Sequence, residues 1–260
     1  MSPATRGLKG LGVVLTRPKG AVVELEHELA TAGARVLHFP ALEITPIGET
    51  PALDAALATL PRQDMAIFVS ANAVEMGLAA LEARSLEWPK RVPVAAVGEM
   101  TATALRNSGF PDVISPTERF DSEALLERPE LQAVSGGNII VFRGEGGRER
   151  LREVLESRGA RVTYAECYRR SRPDTDPAPL LAAWSRGEVQ VVGVLSGETL
   201  ENFVEMIGPE GRAKLASTVL VVTHEAIARH ADAKRFGRVL VSRPGATALA
   251  AAMTQVRDST

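Results

Sequence analysis

The sequence predicts an α/β protein carrying two copies of one parallel-sheet plan, and three observations support that expectation. First, Val13, Val14 and Leu15 form an apolar run, Thr16, Arg17 and Pro18 punctuate it, and Val22, Leu25, Leu29 and Ala32 recur at helical spacing before Gly33 stops the helix. That is a strand-turn-helix unit. Second, one ungapped offset of 126 residues carries Val13 onto Ile139, Gly33-Ala34-Arg35-Val36 onto Gly159-Ala160-Arg161-Val162, Phe68-Val69-Ser70 onto Val194-Leu195-Ser196, and Val113-Ile114 onto Val239-Leu240. Third, apolar strand runs alternate with amphipathic helical runs along the chain, which is the pattern of a parallel sheet. A repeat of this length is too long for a solenoid and suits two domains of similar fold.

Taken in order, residues 36–47 read as extended, and Pro40 and Pro46 make the segment an edge or connector strand. Pro51 opens a short helix to Leu60, residues 65–69 form a buried strand, and Ser70 caps a helix carrying Val74, Leu78 and Leu81 on one face. Trp88 and Pro89 precede a strand over 92–97 ending at Gly98, after which Thr101, Ala104 and Leu105 follow helically until Gly109. Val113 and Ile114 form a short strand, and Asp121 or Ser122 caps a helix through Leu125 and Leu126. The second copy starts near Gly136. Its extended segment, 162–170, occupies the place of 36–47, and Pro173, Pro177 and Pro179 form a linker. Helices over 180–186, 196–207 and 224–231 then alternate with strands over 189–195, 218–222 and 238–241. An alanine-rich helix from Thr247 closes the chain, with 254–260 expected to fray.

With 260 residues the chain is long enough to bury a core without help from a metal or a disulfide. Aromatic residues make up only 4%, which argues against the stacked rings of a single-stranded nucleic-acid binder. A formal net charge of −2 and an isoelectric point near 6.2 supply no field toward nucleic acid or an anionic membrane, so any anionic ligand must be held by local groups. Cys167 is the sole cysteine; it excludes an intrachain disulfide, suits a reducing cytoplasmic setting and reads as a structural thiol. Residues 1–10 hold no signal-like apolar core, and no stretch approaches the roughly 20 apolar residues that span a bilayer, so a soluble protein is expected.

In open α/β sheets ligands bind beyond the carboxyl ends of the strands, where helix N-termini present unpaired N–H groups. Those ends hold Thr16 and Arg17, then Ser70, Ala71 and Asn72, then Gly98 through Thr101 in one copy. The other copy offers Arg143 and Gly144, Ser196 and Gly197, and Thr223 and His224. Each residue alone reads as a cap or turn, but together they form a small, polar, partly basic rim suited to a ligand with several carboxylates or phosphates. Gly144, Gly146 and Gly147, with Glu166 further on, invite a dinucleotide reading, yet Glu149 stands where the third glycine belongs. No lysine followed by Ser or Thr makes a phosphate loop, neither Ser70 nor Ser196 has the glycines of a nucleophile elbow, and the four scattered histidines suggest no metal site. Tyr168, one of two tyrosines, lies in the extended segment before Pro173. A phenol with a pKa of about 10 stays protonated at neutral pH and suits general-acid work on a leaving oxygen. The alternative is a tyrosine packed in a strand with its hydroxyl in water, a description that fits Tyr164 better.

Assembled in order, Thr16-Arg17-Pro18, Pro40, Phe68-Val69-Ser70-Ala71-Asn72-Ala73-Val74, Ala96-Val97-Gly98 with Thr101-Ala102, Arg143-Gly144, Tyr168 and Leu195-Ser196-Gly197 resemble the uroporphyrinogen III synthase family over nearly the full length. One departure stands out: where that family often repeats Gly-x-x-Thr-Ala, this chain has Thr223-His224-Glu225-Ala226. The resemblance implies two flavodoxin-like parallel-sheet domains with an interdomain cleft: a discontinuous one from 1–37 and 174–260, a second from 48–160, and a two-stranded β connector from 38–47 and 161–173. It implies cyclisation of hydroxymethylbilane to uroporphyrinogen III with loss of water and inversion of the last pyrrole ring, without a cofactor. It further implies a monomer able to make transient contact with hydroxymethylbilane synthase, with Tyr168 assisting departure of the hydroxyl and Thr101 and Ser196 positioning substrate carboxylates or ordered waters. A non-catalytic two-domain module binding a small polyanion is the alternative, and a nicotinamide-dependent enzyme the third reading.

Overall fold

The computed structural model describes residues 7–17, 23–243 and 245–256; Pro18, Val22 and the last four residues of the expected frayed end lie outside them. The strands, in chain order, are β1 (Gly12–Leu15), β2 (Arg35–His38), β3 (Glu43–Pro46), β4 (Met65–Phe68), β5 (Val94–Ala96), β6 (Val113–Ile114), β7 (Asn138–Gly144), β8 (Arg161–Ser171), β9 (Val191–Val194), β10 (Val219–Val222) and β11 (Arg238–Val241). They form two sheets, ordered β11-β10-β9-β1-β2 and β3-β8-β7-β4-β5-β6. All four pairings in the first sheet are parallel, as are those from β8 through β7, β4 and β5 to β6 in the second. The chain divides into two compact units, one formed by Met1–Glu43 with Ser171–Thr260 and the other by Ile44–Arg170.

The offset of 126 matches β1 to β7, β2 to β8, β4 to β9, β5 to β10 and β6 to β11. Matched strands take matching places, so β2-β1-β9-β10-β11 repeats the order β8-β7-β4-β5-β6. Neither sheet, however, is made from one copy. Each copy gives its first two strands to one sheet and its last three to the other.

Both sheets are covered on both faces. In β1, Val14 joins an apolar cluster with Trp184, Phe203 and Leu220, while Val13 and Leu15 join the opposite cluster with Leu29, Leu249 and Met253. In β7, Ile140 and Phe142 pack with Phe68 and Leu105, and Ile139 and Val141 with Leu125 and Leu155. Such two-sided burial explains why the strands read as continuous aliphatic runs rather than alternating ones.

Several local expectations are refined. The stretch 36–47 is two strands, β2 and β3, separated by residues 39–42, where Phe39, Ala41 and Leu42 are buried instead of alternating. The expected linker prolines are partly helical: Pro179 sits in the first turn of the helix Ala178–Ser185, where its missing N–H costs no hydrogen bond. The helix expected over 224–231 is a single turn, Glu225–Ala228, followed by the 3-10 turn Ala231–Arg235 that His230 caps through Nδ1. Asp121 is the cap of the helix Ser122–Leu126, accepting from the Ala124 N–H at 2.7 Å.

Candidate functional site

Because the strands of the first sheet, and those from β8 to β6 in the second, run parallel, their carboxyl ends share one edge within each unit. In the second unit this edge gathers Ser70 after β4, Gly98 after β5, Gly144 at the end of β7, and Tyr168 on β8. Ser70 has extended backbone, and its Oγ accepts the Ala73 N–H at 3.1 Å, capping the helix Ala71–Glu82. Ala71 and Asn72, in the first turn, are partly exposed. Gly98 precedes the helix Glu99–Asn107 with no side chain to cap it, which leaves first-turn amides for a ligand or solvent, whereas Thr101 is buried.

Tyr168 is not where a solvent-facing phenol would be. It is 0% exposed and belongs to the cluster around Phe68 and Phe142. A bulge between β7 and β8 is responsible: Arg143 pairs Glu166 but Gly144 pairs Tyr168, so β8 carries one extra residue there. Cys167 and Tyr168, which in a regular strand would point to opposite faces, both enter the same cluster. The Tyr168 ring lies so close to Gly144 that a Cβ there would stand 2.6 Å from Cε2. The phenol oxygen lies 3.0 Å from Ser70 Oγ and 3.4 Å from Arg170 Nη2. No motif marks Arg170 in the sequence; its only signal is its place two residues beyond Tyr168 on the same strand. Burial pushes the Cys167 thiol up to about 12, in keeping with a structural role.

Arg143 is also turned inward, with 5% exposure. Its guanidinium donates to the Gly144 carbonyl at 3.2 Å, to Glu149 at 3.0 Å and to the Gly146 carbonyl. It stacks over the Tyr164 ring at 4.2 Å, with Arg152 at 3.6 Å from the same ring. Glu166 accepts the Gly146 N–H at 3.3 Å. The glycine loop is thereby closed by its own neighbours, and Glu166, placed by sequence as a ribose acid, holds the loop instead. The expected contact of the Arg143 side chain with a ligand gives way to an organising role in the 144–149 loop, because its donors are already engaged.

In the first unit, Ser196 caps the helix Gly197–Met206 by accepting the Thr199 N–H at 3.1 Å, and its Oγ lies 2.7 Å from Thr199 Oγ1. Thr16 is 1% exposed and donates its hydroxyl to the Gly193 carbonyl at 2.8 Å, so its side chain ties β1 to β9 instead of lining a surface. Arg17 beside it is partly exposed, Thr223 is buried, and His224 is exposed at the N-terminus of the single turn Glu225–Ala228. His230, one of the scattered histidines with no motif around it, adds a further group: its Nε2 lies 2.7 Å from Glu201, and its ring is 3.8 Å from where a Cβ on Gly197 would stand. Among the described residues no cluster of His, Cys, Asp and Glu has the geometry to hold a metal ion, and no helix is long and apolar enough to cross a membrane.

The family model for uroporphyrinogen-III synthase HemD matches residues 23–251. The uroporphyrinogen-III synthase of Escherichia coli K12 is 36% identical over 197 residues, covering 76% of this chain and 80% of that one. The chain belongs to the uroporphyrinogen-III synthase family. Another member, from Synechococcus elongatus, is 34% identical over 208 residues, 78% of this chain and 77% of its own. Among solved structures, a mutant uroporphyrinogen III synthase from the extremely thermophilic bacterium Thermus thermophilus superposes with a TM-score of 0.64 at 19% identity, covering 96% of this chain and all of that one. The Helicobacter pylori 26695 enzyme does so with a TM-score of 0.59 at 13% identity over 95% of this chain. At such identities these two likenesses speak for the fold alone.

Proposed function

We propose that this chain is a uroporphyrinogen-III synthase, closing hydroxymethylbilane to uroporphyrinogen III with loss of water and inversion of the last pyrrole ring. The single observation that carries the reading is the family match over 23–251. The sites support it chemically. Hydroxymethylbilane is a flexible polycarboxylate, and the strand-end rims offer it the amides of the helices Ala71–Glu82, Glu99–Asn107 and Gly197–Met206 together with Ser70, Ser196, Arg17 and His224. Helix N-termini stabilise carboxylates without a strongly basic surface, which suits a chain of net charge −2. The expected cleft between two domains and the two-stranded connector belong to this reading, as do a monomeric, cytoplasmic protein and transient contact with hydroxymethylbilane synthase.

The substrate is already reactive and closes unaided to the wrong isomer, so holding one folded shape matters more than acid strength. Incubation of the purified chain with hydroxymethylbilane, followed by separation of the isomeric products, tests the function directly. Accumulation of the type III isomer is the expected result. Binding without conversion would leave a polyanion-binding module in its place.

A further inference from the structure

Tyr168 cannot meet a substrate atom while it is fully buried, yet its hydroxyl is held by two polar groups at the rim. Counting donors and acceptors fixes how those bonds run. Arg170 has only donors, so at 3.4 Å its Nη2 donates to the phenol oxygen. The phenol hydrogen then needs an acceptor, and among the described residues its one such partner is Ser70 Oγ at 3.0 Å. The opposite direction would leave a buried O–H donor unpaired, at a cost of about 1–3 kcal/mol. Ser70 Oγ already accepts the Ala73 N–H at 3.1 Å. With both lone pairs filled, its single hydrogen must point elsewhere, and Ser70 is partly exposed at the end of β4.

We propose that Ser70 is the catalytic residue that touches the leaving hydroxyl, with Tyr168 behind it as the proton source and Arg170 as a positioning residue. This rests on the synthase reading above and extends it. As the bond between the hydroxymethyl carbon and its oxygen breaks, the electron pair leaves with oxygen, the Ser70 proton moves onto it to form water, and the Tyr168 proton moves onto Ser70 Oγ. Ser70 ends neutral, a phenolate is left beside the Arg170 guanidinium, and the substrate carries a pyrrole-stabilised cation. On ring closure the attacked pyrrole carbon loses a proton to regain aromaticity, and that proton returns through Ser70 to the phenolate. The balance over one turnover is one water released and the relay restored.

The test compares Ser70→Ala, Ser70→Thr, Tyr168→Phe and the double variant Ser70→Ala/Tyr168→Phe, each checked by thermal melting and assayed for type III product. Ser70→Ala is expected to lower kcat about 100-fold, and Tyr168→Phe to lower it less, because Ser70 keeps a hydrogen to give. Ser70→Thr, which retains both cap and hydroxyl, is expected to restore most of the turnover. The double variant should be no slower than Ser70→Ala, as for residues acting in one chain. In mixed light and heavy water, the wild-type rate should bow with deuterium fraction as two protons move, and the Tyr168→Phe rate should fall linearly. A folded Ser70→Ala that keeps wild-type kcat, or a Tyr168→Phe loss undiminished in the Ser70→Ala background, overturns the relay while leaving the synthase reading intact. A wild-type chain that makes no type III isomer overturns both.

Discussion

Ser70 and Ser196 stand 126 residues apart at the same station of the repeat, and both cap a helix by accepting an N–H at 3.1 Å. Their second partners differ. Ser196 turns to Thr199 in its own helix at 2.7 Å, whereas Ser70 turns to Tyr168 on another strand at 3.0 Å. The residue 126 positions before Tyr168 is Leu42, which is buried and has no hydroxyl to give. One scaffold drawn twice thus has a polar chain reaching its rim in one unit and a simple cap in the other. If the proposed relay holds, the proton chemistry belongs to the second unit alone, while the rims of both units can bind carboxylates.

That contrast breaks most visibly at Gly144. A Cβ placed there lies 2.6 Å from the Tyr168 ring, so Gly144→Ala should displace the phenol from Ser70. The rate should fall about as far as in Tyr168→Phe, and overpacking should lower stability by about 1–3 kcal/mol; steady-state assay and chemical denaturation measure the two. If turnover survives, the ring position is not what matters. A smaller effect separates the serines. Ser70→Ala and Ser196→Ala should each lose about 1 kcal/mol of stability as caps, but Ser196→Ala should raise KM by about 5-fold, the equivalent of one hydrogen bond, with little change in kcat. A matching fall in kcat for both would erase the contrast. Thr16→Val, removing the bond to the Gly193 carbonyl, should lower stability by about 1 kcal/mol and leave KM unchanged. A raised KM would return that side chain to the binding surface.

The smallest effect concerns Cys167, whose pKa burial raises from 9.0 to about 12 in the folded chain. Its thiol gains nothing from ionising inside, whereas the unfolded chain ionises freely above pH 9. Its contribution to stability is therefore intact below pH 9 and is lost as pH rises towards 12. The pH dependence of denaturation, compared between wild type and Cys167→Ala, should show that slope only for wild type. At pH 8 the native thiol should resist alkylation until denaturant exposes it.

The repeat, the parallel sheets and the caps at Ser70 and Ser196 were legible because each depends on short-range pattern: apolar runs, helical spacing and a hydroxyl before a helix. What escaped was set by distant pairing. Without the partner strand, nothing in the residues 161–171 announces the bulge that turns Tyr168 into the core. Likewise Arg143 reads as a rim cation until the folded loop brings the Gly144 and Gly146 carbonyls and Glu149 around its guanidinium. Thr16 looks like an exposed turn residue because the carbonyl it serves, Gly193, lies 177 positions away.

The exchange of strands between the copies also sets an order of assembly. All of the second unit, Ile44–Arg170, has been synthesised before β9, β10 and β11 exist. Domains usually condense as they emerge from the ribosome, the N-terminal one first. Here β1 and β2, made before the other strands of their sheet, wait with their apolar faces uncovered until β9, β10 and β11 follow the whole second unit. These two strands are thus translated ahead of the second unit yet complete their sheet after it.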